Sequence, residues 1–305
     1  MRILAAFFIL TSLTVTPGLC KEATLVAGAV AGAVAGAPDA VEELIGKNPR
    51  AIDTSLKYSP RSSASAQEGG IGLIESNTGF EYKFALSGKQ PVTISFQHRY
   101  IDIDNSTQVS LPNRLVGFDL GIETMYQLSN FSETYLSLGV SPSFYSDDWD
   151  LHAFKFRIPT HCYLIRRPDK KTTLIAGIMV DSDFDYYVFP VLGFIYEPTE
   201  KLTFVLIPDK PSINYSVSDK LSVFVEGNID LDQEFKVSQD HGHAILRYEE
   251  LKAGAGVSFA FNDHFLASLS AGGVFKRRFQ YKDSQFGKVC LKDGLYSEFK
   301  LQLEF

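Results

Sequence analysis

The sequence predicts an all-β protein, an antiparallel transmembrane β-barrel of about 12 strands by its alternation, with a short helical and low-complexity N-terminal leader. Three observations predict it. From about Phe80 onward, helical periodicity gives way to period-two alternation of apolar and polar residues, less clean in the middle of the chain. An export signal is followed by no apolar stretch long enough for a spanning helix. The polar face of the alternation is often charged, which suits a wet lumen and not a dry core.

Residues 1–20 read as a signal peptide. Arg2 supplies the positive start, Ile3 to Val15 the short apolar core, and Pro17-Gly18 breaks it ahead of a small-residue exit. The reading favours ordinary cleavage after Cys20. Lipidation of Cys20 stays an alternative, although the bulky Leu19 suits it badly. Residues 21–70 form a leader: three Val-Ala-Gly-Ala copies over residues 26–37, one short helix over 38–47, and a Ser/Gly/Ala-rich linker over 57–70. The barrel is assigned to residues 71–305.

The strands follow. Phe80, Tyr82, Phe84 and Leu86 alternate with Glu81, Lys83 and Ala85. Phe96, His98 and Tyr100 alternate with Gln97 and Arg99, and Phe118, Leu120 and Ile122 with Asp119, Gly121 and Glu123. Segments 172–180 and 187–196 are apolar on both faces, and Pro190 in the second implies a bulge or a pairing gap. Residues 233–246 read as a hairpin loop. The last strand sets Leu295, Phe299, Leu301, Leu303 and Phe305 against Tyr296, Glu298, Lys300, Gln302 and Glu304. Short turns such as Pro198-Thr199 and Asn262-Asp263 make neighbours antiparallel.

The expected lumen charges are Glu81, Lys83, Arg99, Asp119, Glu123, Glu298 and Lys300. Burying them in a soluble core would cost several kcal/mol per ion, so the apolar face is taken to point outward into lipid. Phe299, Leu301, Leu303 and Phe305 resemble the terminal-strand signal by which outer-membrane barrels are recognised for insertion. The expected place is the outer membrane of a Gram-negative bacterium. The expected partners are outer-membrane lipid, the barrel-assembly machinery and small solutes.

Composition excludes other classes. With 29 basic and 36 acidic residues the net charge is −7, which argues against nucleic-acid binding. Three Cys in 305 residues make no disulfide scaffold. No cofactor or metal fingerprint is present. His241-Gly242-His243 is the densest metal-like cluster and lacks a third ligand at regular spacing. Asp147-Asp148-Trp149-Asp150 reads as a solvated hairpin tip. Lys276-Arg277-Arg278 reads equally as a contact for lipid phosphates or, by strict alternation, as Lys276 and Arg278 paired inside the lumen.

The segment from about Tyr187 to Phe305 resembles a family of bacterial outer-membrane barrels of unassigned function. The carrying residues are Phe189-Pro190-Val191-Leu192-Gly193, Tyr196-Glu197-Pro198, Leu206-Ile207-Pro208, Tyr215-Ser216-Val217-Ser218-Asp219, Ala271 to Arg278, and Asp293-Gly294-Leu295-Tyr296. The resemblance implies the fold and the location and brings no activity. The expected role is a porin-like narrow channel for small solutes, not an enzyme. The alternatives are a barrel lipid hydrolase built on His98 with a Ser from a neighbouring strand, or a structural or adhesive barrel with a sealed lumen.

Overall fold

The computed structural model describes residues 50–65, 68–86, 90–129, 133–149, 154–181, 187–237, 244–282 and 287–305. The signal peptide, the Val-Ala-Gly-Ala copies, the helix over 38–47 and the His241-Gly242-His243 cluster lie outside the described residues.

The described residues form seventeen strand segments and no helix. They are β1 (Arg50–Ser63), β2 (Gly70–Leu86), β3 (Gln90–Asn105), β4 (Arg114–Ser129), β5 (Thr134–Val140), β6 (Ser143–Ser146), β7 (Lys155–Arg157), β8 (Thr160–Asp169) and β9 (Thr172–Val180). They continue with β10 (Val188–Thr199), β11 (Leu202–Leu206), β12 (Ser212–Ser216), β13 (Leu221–Val237), β14 (Ala244–Asn262), β15 (Phe265–Tyr281), β16 (Lys288–Leu291) and β17 (Gly294–Glu304). Neighbours around the ring pair antiparallel, and β1 pairs with β17, so the sheet closes on itself. Closure satisfies every strand edge, the condition for a sheet to sit in lipid. The segments β5 with β6, β7 with β8 and β16 with β17 each make one broken wall strand, so the barrel has fourteen.

Fourteen replaces the expected dozen, and β1 is the clearest omission. Residues 57–63, inside the expected linker, are strand. Ile52, Leu56 and Tyr58 alternate with Asp53, Ser55, Lys57 and Ser59 along β1, and its Ser content hid the strand. β1 pairs from Arg50 with Tyr82 of β2, so the barrel begins ahead of residue 71. The 233–246 segment is likewise mostly strand: Gln233 to Val237 pair with Tyr248 to Ala244. Pro190 meets Ile178 in unbroken register on β9, while β10 pairs with β11 only from Phe194 onward. The proline therefore sits at a pairing gap, where its missing N–H costs little.

The connections are short at one end, as at 170–171, 200–201 and 263–264, and both Arg50 and Phe305 lie there. Arg50 and Phe305 exchange backbone hydrogen bonds of 3.1 and 2.8 Å across the seam. At the other end the long strands overshoot. β14 has 19 residues, and about 9–11 tilted residues suffice to cross a bilayer core.

Hydrophobic polarity inverts along these long strands. Near the short turns and mid-strand the apolar residues face out: Phe80, Phe96 and Leu120 sit side by side on β2, β3 and β4, each about two fifths exposed. Higher up, Ile101 and Ile103 face in and are buried, and Asp102 and Asp104 face out. The same switch occurs on β14, where Phe259 faces out and Leu246 and Tyr248 face in. Apolar side chains go where water is absent, and this inversion is what a wall with lipid outside its lower part and a packed core inside its upper part requires.

A bulge makes the switch on β15. Leu251 pairs with Lys276 but Lys252 with Val274, so Phe275 is the extra residue. The parity flip turns Arg277 inward and Lys276 and Arg278 outward. Lys276 lies 3.0 Å from Glu249, and Arg278 bonds the same carboxylate. The strict alternation that put Lys276 and Arg278 in the lumen fails at this bulge.

The inward apolar residues near the long loops form one core. Ile71, Ile101, Leu115, Tyr145, Phe235, Leu246, Phe279 and Val289 belong to it, from walls on both sides of the ring. A second inward cluster lines the short-stranded flank, with Tyr135, Tyr163, Ile165, Ile175, Met179, Phe189 and Ile207.

Candidate functional site: a blind lumen under an apolar plug

Below the plug lies a cavity of about 530 Å³. Its lining reaches Lys83, Leu266 and Gln302 near the short turns and stops at Tyr145 and Gln233 under the apolar core. The cavity is therefore a vestibule, blind at the long-loop end.

Its roof is a layer of buried charge. Lys57 of β1 pairs with Glu75 of β2 and, at 2.5 Å, with Glu250 of β14. Arg277 of β15 reaches the same Glu250 at 2.5 Å and donates to Ser59 at 2.8 Å. Arg99 of β3 bridges Glu75 at 2.9 Å and Asp230 of β13 at 2.7 Å, and bonds Gln233. Lys252 pairs with Glu298 at 3.1 Å. Tyr248 donates to Glu250 at 2.8 Å and to Glu75 at 3.2 Å. Four cations thus meet four anions, Lys57, Arg99, Lys252 and Arg277 against Glu75, Asp230, Glu250 and Glu298. The layer is neutral, and each head group is held by residues far apart in sequence. Buried ions are tolerated only in such mutual pairing.

All seven charged residues expected in the lumen line this cavity. Arg99 and Glu298 belong to the roof. Glu81 and Lys83 pair at 2.8 Å, and Lys300 lies 3.3 Å from Glu226. Asp119 accepts the Tyr145 hydroxyl at 2.7 Å on both oxygens, which ties the wall to the plug. Glu123 accepts the Ser137 hydroxyl at 2.5 Å. Counted over the lining, eight acidic and eight basic side chains face the cavity, so its field has no strong overall sign.

Phe299, Leu301, Leu303 and Phe305 alternate along β17, with Leu301 and Leu303 set between Thr54 and Ile52 of β1 and Ala267 and Phe265 of β15. Phe299 and Phe305 are exposed. His98 faces outward between Thr78 and Phe118 on the adjoining strands, and its ring stacks on Trp149 at 5.6 Å. The acidic run at 147–150 is not a free tip over its described part: Asp147 is buried and Asp148 pairs with Arg114 at 2.8 Å. Cys162 and Cys290 are both free thiols.

The family model described as a domain of unknown function (DUF6268) matches residues 76–303. The chain belongs to this family. The family match takes in nearly the whole wall and so runs well beyond the last two fifths of the chain, where the resemblance was read. No curated protein matches the chain. Among solved structures it is similar to the COG4313 outer membrane channel from Pseudomonas putida F1, at 11% identity and a TM-score of 0.47 over 85% of this chain and 96% of that one. It is similar to the P. putida toluene transporter TodX at 9% identity and 0.41, over 88% and 92%. The translocator domain of autotransporter NalP from Neisseria meningitidis gives 11% and 0.33, over 95% and 100%. Likenesses at this level carry no argument about what passes through this barrel.

Lys57 and Glu75 lie just ahead of the segment matched by the family, yet they hold half of the roof's pairs to Glu250 and Arg99. Sequence reasoning missed Lys57, Glu75, Asp230, Glu250, Lys252 and Arg277. The available signal was parity: Tyr248, Glu250 and Lys252 share one face, as do Ile71, Leu73 and Glu75.

Proposed function

We propose that the protein is an outer-membrane barrel that admits small polar solutes from the short-turn side and is held shut at the long-loop end in this conformation. The observation that carries the reading is the polarity inversion. Apolar side chains face out where the wall would meet lipid, charged ones face a cavity of about 530 Å³, and apolar ones fill only the overhanging end. A barrel built only as a membrane anchor has no need of a charged vestibule.

Partners in this reading are the outer-membrane lipid, small solutes and the barrel-assembly machinery acting on the terminal strand. It has no enzymatic step. The side chains facing His98 across the sheet are Thr78 and Phe118.

The test is conductance of the refolded chain in a planar bilayer, with Phe235→Ala beside the wild type. Rare or small openings in the wild type, and frequent larger ones once the plug is thinned, are the expected result. A folded, inserted Phe235→Ala barrel that stays silent overturns the port. It would favour the second reading, a sealed structural barrel, which the contact between opposite walls at Lys236 and Ser146 supports.

A further inference from the structure

Charge is unevenly distributed around the outside of the barrel at the height of the roof. Phe235, Tyr248 and Arg277 face inward on β13, β14 and β15, so the residues on either side of Tyr248 and Arg277 and Glu234 beside Phe235 face outward, and they are charged. Glu249 pairs with Lys276 at 3.0 Å and with Arg278. Glu234 pairs with Arg247 at 2.9 Å, with Lys282 at 2.8 Å and with Lys155, which reaches it from β7. Among the described residues, five cations thus attend two carboxylates. The carboxylates are buried, whereas the Lys276 and Lys282 side chains are 49% and 46% exposed. The acids anchor the cluster to the wall, and the ammonium groups face out.

The other side of the ring has no such surplus. There Asp104 pairs with Arg61 at 2.5 Å, Asp148 pairs with Arg114 at 2.8 Å, and Asp102 is a further exposed acid.

The polarity inversion narrows the partner. Phe275, 46% exposed, is the last outward apolar residue of β15, and Lys276 follows it directly. Below them the same outer face is apolar, with Leu251, Ala253 and Ala255 of β14 and Ala271 of β15. The cations therefore stand where a lipid headgroup lies above its acyl chains. Lys and Arg at that level attract lipid phosphates. Glu249 and Arg247 are two residues apart on β14, about 7 Å along the strand. The two groups of cations are thus close enough to serve two phosphates of one headgroup.

We propose that the outward face of β13–β15 at the polarity inversion is a docking surface for a lipid whose headgroup carries two phosphates. Lys276 and Arg278 take one phosphate, Arg247 and Lys282 the other, and the acyl chains lie on the apolar face below. The inference rests on the wall spanning a lipid bilayer, as in the function proposed above.

The test is native mass spectrometry of the refolded full chain in detergent, titrated with bisphosphorylated lipid A and with its monophosphorylated and dephosphorylated forms. Folding of each variant is checked by heat-modifiable migration. Saturable binding that weakens with each phosphate removed is expected. Lys276→Gln combined with Lys282→Gln leaves Arg278 on Glu249, and Arg247 and Lys155 on Glu234, so the buried acids keep their partners. That double variant should bind about tenfold more weakly or worse. Arg61→Gln combined with Arg114→Gln removes as much charge from the other side and should leave binding unchanged. The surface is overturned if the dephosphorylated lipid binds as tightly, if the Lys276 and Lys282 changes have no effect, or if the Arg61 and Arg114 changes weaken binding equally. Insertion of the wild type into phosphatidylcholine liposomes reports on the membrane reading separately. A barrel that inserts but does not discriminate phosphates sinks this inference and leaves that reading standing.

Discussion

Lys236 and Ser146 face each other in a single parallel bridge, although the short-stranded flank from β7 to β12 separates their strands around the ring. The Ser146 hydroxyl and the Asp147 N–H both donate to the Lys236 carbonyl, at 3.3 and 3.2 Å. The flank strands β9, β11 and β12 have 9, 5 and 5 residues, whereas β13 has 17. Where the flank ends, the long strands on either side of it meet and close a narrower upper barrel with its own apolar core.

That contact sets the first prediction. Phe235 lies one residue from the bridge, fully buried, with its ring edge-on to Tyr145 at 5.2 Å. Phe235→Ala should lower stability by about 3–5 kcal/mol, the usual cost of truncating a buried Phe. The same change should raise conductance. Urea-dependent unfolding of liposome-inserted protein measures the first effect and bilayer recording the second.

The charged roof predicts a non-additive series. Lys57→Met leaves Glu250 and Glu75 with less cation than they need in a buried layer. A loss of about 3–5 kcal/mol is expected for breaking such a pair from one side. Adding Glu250→Gln should recover part of it, because the orphaned charge is then gone. A double-mutant cycle in unfolding free energy checks this, and strictly additive losses would count against the network.

The polarity inversion predicts opposite tolerances six residues apart on one strand. Phe96→Arg puts a cation on the lipid-facing belt and should cost about 2–4 kcal/mol near the bilayer midplane. Asp102→Arg, on the same outward face but above the inversion, should change folding in liposomes little. Equal penalties at the two sites would remove the membrane boundary from between them.

The seam predicts an assembly defect without a stability defect. Phe305 joins Arg50 through backbone groups, which survive a change of side chain. Phe305→Ser should therefore reduce the amount reaching the membrane in cells, while barrels refolded in detergent unfold at nearly the wild-type denaturant concentration. Unchanged membrane levels would mean that the terminal Phe is not read during insertion.

Much of the wall was legible in sequence. Period-two alternation is a local property, and it located β2, β3, β4 and β17 and put Glu81, Lys83, Arg99, Asp119, Glu123, Glu298 and Lys300 on one face. β1 was missed because its outward face carries Thr54 between Ile52 and Leu56, with Ser and Pro following. The roof was missed because its residues stand where apolar parity changes sign, and a reading that equates apolar with outward discards that stretch as loop.

By itself, then, the sequence determined the alternation, hence an antiparallel barrel wall and the residues that share its polar face. Side-chain periodicity follows from the backbone pleat alone. Only the tertiary structure decided which way each face points along the whole strand, that the lumen is blind, and that Lys57 meets Glu250. Those facts depend on strand lengths, on one bulge at Phe275, and on which walls meet once the ring has closed.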